Sequence, residues 1–175
     1  MIKMIKIGVS KVDITPSFNI PLGGYLERTS LSIGVHDPLY ARSLVIDDEE
    51  KTTAIISLDL LAIDRKITEE IREDIEGSVE INKENIMVTA THTHAGPDGI
   101  FKESIFASIS TSNEHLISDI KVKIKQSILN AMRKRKTAEV RVGKIIVEGA
   151  SANRRVKNGP VDKQLISMRF DDNTG

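Results

Sequence analysis

The stretches TAIISLDLL at residues 53–61 and IMVTATHTHAGPDG at residues 86–99 decide the fold of this chain. Each begins as a nearly continuous apolar run, which is typical of a strand buried on both faces. Between them, Ile67, Ile71 and Ile75 recur at the spacing of a helix with a narrow apolar stripe. The order strand, helix, strand predicts a parallel crossover, in which the carboxyl ends of both strands share one edge of a sheet.

Two histidines stand at this edge, where the second strand runs into a Gly/Pro turn. Because side chains alternate between the faces of a strand, His92 and His94 are predicted to point the same way and to converge. Imidazole is the commonest protein ligand of metals such as zinc, so the pair is a candidate metal site. Histidines at a strand end can also anchor a loop through hydrogen bonds, and the spacing alone leaves both alternatives open.

The pattern extends to both sides of this core. Further strands are predicted at residues 5–14, 39–46, 138–147 and 165–170. Residues 113–136 favour a long amphipathic helix with Asn113 as its N-cap, whereas the Ser-rich residues 101–113 receive no assignment. We predict an α/β fold with mixed β-sheet layers flanked by helices, forming a single domain over residues 1–175. The turn residues DDNTG at 171–175 indicate that this fold is incomplete at its carboxyl edge.

Composition excludes several classes of function. The chain carries 25 basic and 25 acidic residues, so no net field attracts nucleic acid or anionic membranes. The absence of cysteine excludes disulfides, thiolate metal ligands and a cysteine nucleophile. No apolar run is long enough for a membrane span, and the amino terminus alternates Lys with Ile instead of forming a signal-peptide core. The expected location is the cytoplasm.

Asp59 is a charged residue near the end of the first apolar run. Burying a carboxylate costs several kcal/mol unless it is paired or binds a metal, so Asp59 is a candidate site residue. The alternative is a partly exposed carboxylate that caps a turn. His115, in the first turn of the second predicted helix, is explained by exposure alone.

Six short motifs follow one another along the chain: GVSKVDITP at residues 8–16, GY at 24–25, GVHDPLYAR at 34–42, SLDLL at 57–61, THTHAGP at 91–97 and NR at 153–154. Their order resembles the amino-terminal part of the neutral/alkaline non-lysosomal ceramidase family. The resemblance covers almost the whole chain. It implies a zinc-dependent amidase of sphingolipid metabolism that cleaves the N-acyl bond of ceramide to a fatty acid and a sphingoid base.

The resemblance also implies roles for individual residues. His92 would be a ligand of the single zinc ion. His94 would be either a catalytic histidine that passes a proton to the leaving amine or a histidine that orders the site. Arg154 would stabilise developing negative charge or hold substrate oxygens, although by itself it has the pattern of a surface loop residue. His36 and Asp59 fall within shared motifs as candidate site residues without an assigned role.

Two functions from different classes remain open. A catalytic zinc site needs about three protein ligands, and the resemblance places a further histidine, a glutamate and a tyrosine beyond this sequence. The first function is therefore the amino-terminal portion of an amide hydrolase, inactive alone, whose substrate is a small amphipathic or N-acyl amide. The second is a catalytically inert remnant or assembly module that pairs with a second copy or a carboxyl-terminal partner chain through an exposed edge strand. A loop-anchoring role for the histidines in a small binding domain would leave the motif order unexplained.

Overall fold

The computed structural model describes residues 5–16, 19–25, 27–97 and 113–172. These residues divide into two compact units, Met1–Lys136 and Thr137–Gly175, called here the N-terminal and the C-terminal unit. The Ser-rich residues 101–112 and the last turn residues, 173–175, lie outside the described part of the chain. The single domain of the sequence analysis stays a prediction.

The N-terminal unit is built on a mixed sheet. Its elements are β1 Ile5–Asp13, β2 Tyr40–Asp47, β3 Thr52–Leu58, α1 Arg65–Glu76, the 3₁₀ turn Lys83–Asn85, β4 Ile86–Ala90 and α2 Glu114–Arg133. β1, β2 and β3 pair antiparallel, and β4 pairs parallel with β3, which gives the order β4-β3-β2-β1. The α/β class and the parallel crossover through α1 are confirmed, and β2 and β3 form an antiparallel hairpin.

The crossover brings the candidate site residues to one edge of the sheet. In the register of β3 and β4, Leu58 lies beside Ala90. Backbone pairing continues beyond both strands, because the Thr91 amide donates to the Leu58 carbonyl at 2.9 Å and the Thr93 amide to the Leu60 carbonyl at 3.2 Å. The segment with the two histidines is therefore held against the segment that follows β3.

Both helices pack the predicted apolar stripe into the core. Ile67, Ile71 and Ile75 of α1 are buried, and the Asp64 carboxylate caps this helix by accepting from the Lys66 amide. The Asn113 side chain caps α2 by accepting from the Leu116 amide at 3.0 Å, as predicted. The core extends through both helices and the sheet, and its largest fully buried apolar side chains include Ile14, Ile56, Leu58, Leu60, Ile75, Ile86, Leu116, Ile124 and Ile128.

One part of the α2 interface was not visible in the apolar pattern. Ser127 faces inward and is fully buried, and its hydroxyl lies 2.8 Å from the hydroxyl of Ser43 in β2. Ser43 can donate to Ser127, whose own hydroxyl lies 3.4 Å from the Ala41 carbonyl oxygen and can donate to it, so the pair is tolerated within the core. A serine reads as polar in the sequence, and only its partner across the interface explains its position.

The C-terminal unit is a β-hairpin. β5 Lys136–Ile146 pairs antiparallel with β6 Gln164–Asp172, with Ile145 opposite Leu165 and Val142 opposite Met168. The Val147 amide donates to the Lys163 carbonyl at 2.9 Å. The connecting loop begins after this hydrogen bond. Both strands were predicted, within two residues at each end. Among the described residues, no helix is both long and apolar enough to cross a membrane.

Candidate functional site

The two histidines lie in the loop that follows β4 and not in the strand itself. β4 ends at Ala90, and His92 has a φ of 61°, a left-handed conformation that is uncommon for residues other than glycine. The rings of His92 and His94 are nevertheless neighbours, with centroids 5.1 Å apart and planes at 80°. A turn, and not strand alternation, brings the two side chains together.

A backbone carbonyl orients the ring of His92. Its Nδ1 lies 2.8 Å from the carbonyl oxygen of Leu61. A carbonyl only accepts, so Nδ1 carries the proton and Nε2 keeps its lone pair. Metal-binding histidines commonly donate their second ring nitrogen to a backbone carbonyl in this way. The backbone strain at His92 is also of the kind that clusters at functional sites.

The described residues supply only part of the ligand set that a zinc ion needs. No three His, Cys, Asp or Glu side chains are grouped to hold a metal ion in the described ranges. His92 fits one ligand position, and a catalytic zinc needs about three protein ligands. The others would have to come from residues outside those described.

His94 is enclosed by the loop that precedes β2. The Tyr25 ring packs against the His94 ring at 4.8 Å between centroids, with planes at 69°. The Arg28 guanidinium donates from Nη1 to the His94 carbonyl at 2.9 Å. The Nδ1 atom of His94 is buried and has no hydrogen-bond partner among the described residues. Packing, and not a hydrogen bond at Nδ1, therefore holds this ring.

An open groove of about 1030 Å³ borders the same loop. Every second residue of this loop lines the groove: Thr91, Thr93, Ala95 and Pro97. The two histidines between them, His92 and His94, do not. The other lining residues are Thr15, Pro16, Asn19, Ile20, Leu22, Ser32, Gly34, Val35, His36, Asp37, Leu39 and Asp59. Among the described residues, His36 and Asp59 line this groove, whereas the histidine pair stands beside it.

Asp59 is bound by two residues of the neighbouring strand β2. Both of its carboxylate oxygens lie 2.7 Å from Arg42 Nη1, and one also accepts from the Tyr40 amide at 3.0 Å. This ion pair and hydrogen bond compensate the carboxylate, whose side chain is 17% exposed. A structural role therefore accounts for the partial burial of Asp59, and its role in a site stays a prediction.

His36 stands almost fully exposed at the groove, and its Nδ1 lies 2.7 Å from a carboxylate oxygen of Asp37. The hydrogen bond to Asp37, with the charge of that carboxylate, raises the pKa of His36 above the ordinary value of 6.5. The protonated pair therefore persists above that value and is lost as the pH rises through the raised pKa of the folded protein. His36 is thus the cationic side chain of this groove at slightly acid pH.

Replacing Asp37 by asparagine is expected to lower the pKa of His36 toward 6.5, because the variant loses the carboxylate that stabilises the imidazolium. A pH titration of the histidine ring protons by NMR measures this shift. The curve of His115, exposed on α2, should be identical in both proteins and serves as the control. Identical His36 curves would show that the ion pair does not form in solution.

Arg154 lies in the C-terminal unit, exposed in the loop between β5 and β6. The preceding residue, Asn153, shapes this loop: its side-chain oxygen accepts from the amides of Arg155 and Val156, each at 3.0 Å. Its amide nitrogen donates to the Pro160 carbonyl at 3.2 Å. The Asn-Arg motif therefore combines a loop-forming asparagine with an exposed arginine, whose proposed role stays a prediction.

The residues that enclose His94 were missed as site residues. Gly24 and Tyr25 stood out only as a short motif, and Arg28 carried no signal at all. The Arg28–His94 contact joins residues 66 positions apart, so no local pattern could reveal it. The glycine before an aromatic residue was the only available hint.

The chain is similar to known proteins over nearly its whole length. The family model described as "Neutral/alkaline non-lysosomal ceramidase, N-terminal" matches residues 5–173. The chain belongs to this ceramidase family. Neutral ceramidase 3 of Arabidopsis thaliana is 26% identical over 95% of this chain and 25% of its own length. Neutral ceramidase of Mycobacterium tuberculosis is 28% identical over 98% of this chain and 29% of its own length.

Solved ceramidase structures share the fold. The crystal structure of neutral ceramidase from Pseudomonas aeruginosa covers 98% of this chain with a TM-score of 0.87 and 24% identity. A ceramidase complexed with C2 covers the same share with a TM-score of 0.85. This chain spans only 30% and 29% of those two chains. It corresponds to the N-terminal region of the ceramidase fold.

Proposed function

We propose that this chain forms the N-terminal part of a zinc-dependent hydrolase that cleaves the N-acyl bond of a linear, ceramide-like amide. The observation that carries the proposal is the state of His92, whose Nδ1 is held by the Leu61 carbonyl while Nε2 stays available beside His94. The relatives named neutral ceramidases, and the ceramidase solved in complex with C2, support the substrate class.

Each candidate residue would have a separate role in this hydrolysis. A zinc ion, when bound, would polarise the amide carbonyl and activate water. His92 would contribute one imidazole nitrogen to that ion. His94, whose ring centroid lies 5.1 Å from that of His92, would exchange a proton with the leaving amine. Arg154 would place its positive charge near the substrate oxygens.

Zinc titration of the 175-residue chain tests the ligand role of His92. We expect the His92 ring signals in the NMR spectrum to shift before those of the other histidines, because Nε2 is free to bind. Replacing His92 by alanine should abolish this binding event, whereas replacing His115 by alanine, the matched control, should leave it unchanged. Equal zinc binding by wild type and the His92→Ala variant would contradict the proposal.

The isolated chain is expected to show no zinc-dependent hydrolysis of a short-chain ceramide, because His92 supplies one ligand of about three. The measurement is release of fatty acid with and without added zinc. Hydrolysis by the chain alone that disappears in the His92→Ala variant would show instead that the metal site is complete within these residues.

We also propose a second function, binding of another polypeptide by the hairpin. One face of β5 and β6 exposes large apolar side chains: Val142, Ile146, Ile166 and Met168 are 67%, 60%, 64% and 53% exposed. They share this face because Val142 is opposite Met168 and Ile166 is opposite Lys144. Lys144 and Gln164 share the face with these four residues, and an exposed group of large apolar side chains of this kind is typical of protein interfaces.

Sedimentation velocity tests whether this face joins two copies of the chain. We expect self-association that is weakened by Ile166→Lys, because a lysine on the apolar face would be desolvated in the interface. Ile145→Lys is the matched control, since Ile145 is 58% exposed on the opposite face of the same hairpin. A monomer at all concentrations would contradict self-association through this face.

A further inference from the structure

We infer that Tyr25 and Arg28 are positioning residues that fix the ring of His94. The inference concerns where His94 is held, and it rests on the proposed function only for what His94 does there. It follows from the docking of the loop before β2 onto the loop after β4.

The two loops are joined through their backbones. The Gly23 amide donates to the Gly96 carbonyl at 3.0 Å, and Leu22 forms an antiparallel bridge with Pro97. These contacts place Gly24 and Tyr25 directly over the His94 side chain. Tyr25 therefore follows directly on backbone that is hydrogen-bonded to the loop of His94.

Gly24 allows this close approach. Its φ is +96°, a region that L side chains rarely adopt, and a Cβ built on it would lie 2.5 Å from the Cγ and Nδ1 atoms of His94. The space that any other residue would fill is occupied by the His94 ring. The glycine thus lets the loop close onto the histidine, and Tyr25 forms the next contact.

Arg28 links the backbone and the aromatic contact. Its Nη1 donates to the His94 carbonyl at 2.9 Å, and its guanidinium carbon lies 5.0 Å from the centroid of the Tyr25 ring. A planar cation at this distance attracts the ring face. Arg28 therefore holds both the main chain of His94 and the aromatic ring that packs against its side chain.

These contacts matter because His94, within the described ranges, lacks the hydrogen bond that would otherwise orient its ring. A catalytic histidine usually owes its orientation to a hydrogen bond at its second ring nitrogen. The buried Nδ1 of His94 has no such partner among the described residues. The ring is instead oriented by edge contacts with the rings of Tyr25 and His92 and by the close approach of Gly24.

Aromatic NMR of the metal-free chain tests the inference through the His94 ring protons. In the wild type we expect a nuclear Overhauser contact between the Tyr25 and His94 rings and a ring-current displacement of the His94 signals. Tyr25→Leu should abolish both, whereas Tyr25→Phe should restore both, because the ring and not the hydroxyl makes the contact. Tyr25 is 56% exposed, so its replacement opens little of the core.

Arg28→Ala should move and broaden the His94 ring signals, and Arg28→Lys should not restore them, because a lysine lacks the planar group that stacks on Tyr25. The exposed Arg65 in α1 provides the matched control, and Arg65→Ala should leave His94 unchanged. A backbone amide spectrum of each variant establishes that the fold is retained.

Unchanged His94 signals in a folded Tyr25→Leu variant would overturn the inference, as would an equal displacement caused by Arg65→Ala. If Tyr25→Leu does not fold, a Tyr25→Phe spectrum without the ring contact to His94 would overturn it as well. The measurement needs no metal and no substrate. A zinc titration without binding at His92 would therefore refute the proposed function, but the NMR test of the His94 contacts could still be interpreted.

Discussion

Replacing Gly8 with alanine is expected to destabilise the N-terminal unit by about 3 kcal/mol, among the largest effects of a single methyl group. Gly8 is buried in β1 where α2 crosses the sheet, and a Cβ at this position would overlap the backbone carbonyl of Ala131. The same Cβ would also lie 3.0 Å from the Cγ atom of Arg135. Because the main obstacle is backbone, no change of rotamer relieves the overlap, and the helix would have to shift.

Urea denaturation followed by circular dichroism measures this loss. Gly34→Ala is the matched control, since a Cβ added at Gly34 would meet no atom within 4 Å and the φ of this residue is not positive. Its free energy of unfolding should stay within about 0.5 kcal/mol of wild type. Equal stability of the two variants would show that α2 does not pack on β1 as described.

Replacing Asp59 with alanine is expected to lower the free energy of unfolding by about 2 kcal/mol. A hydrogen bond to a charged group contributes about 1.5–3 kcal/mol, and the half-exposed Arg42 contact adds little because solvent screens it. The variant leaves the Tyr40 amide and the Arg42 guanidinium without their shared acceptor. Asp59→Asn should lose less, since an amide oxygen can still accept from Tyr40. Denaturant unfolding measures both losses.

Asp37→Ala is the control for this series, because Asp37 lines the same groove but is highly exposed. Its stability should stay within about 0.5 kcal/mol of wild type. Zinc binding is a second measurement, which distinguishes a structural role of Asp59 from a role as a metal ligand. If Asp59 serves only the fold, the folded Asp59→Ala variant should bind zinc as wild type does. Loss of zinc binding by a folded variant would instead place Asp59 among the ligands.

The helices and strands could be predicted from the sequence because each depends on residues that are close together along the chain. The spacing of Ile67, Ile71 and Ile75 depends on a single helix, and the cap at Asn113 depends on three following residues. The apolar run at residues 53–61 overestimates the length of this strand, because β3 ends at Leu58 and the chain then turns. The apolar residues Leu60 and Leu61 continue the pattern but are buried in the loop.

The sequence by itself determined the α/β class, the crossover and the two histidines at its edge, since each follows from residues close together along the chain. Only the tertiary structure decided what surrounds those histidines. The carbonyl that orients His92 comes from Leu61, and the guanidinium that holds His94 comes from Arg28, 66 positions away. Such contacts depend on how separate loops dock, and loop docking is set by backbone closure and shape, which leave no periodic trace in the sequence.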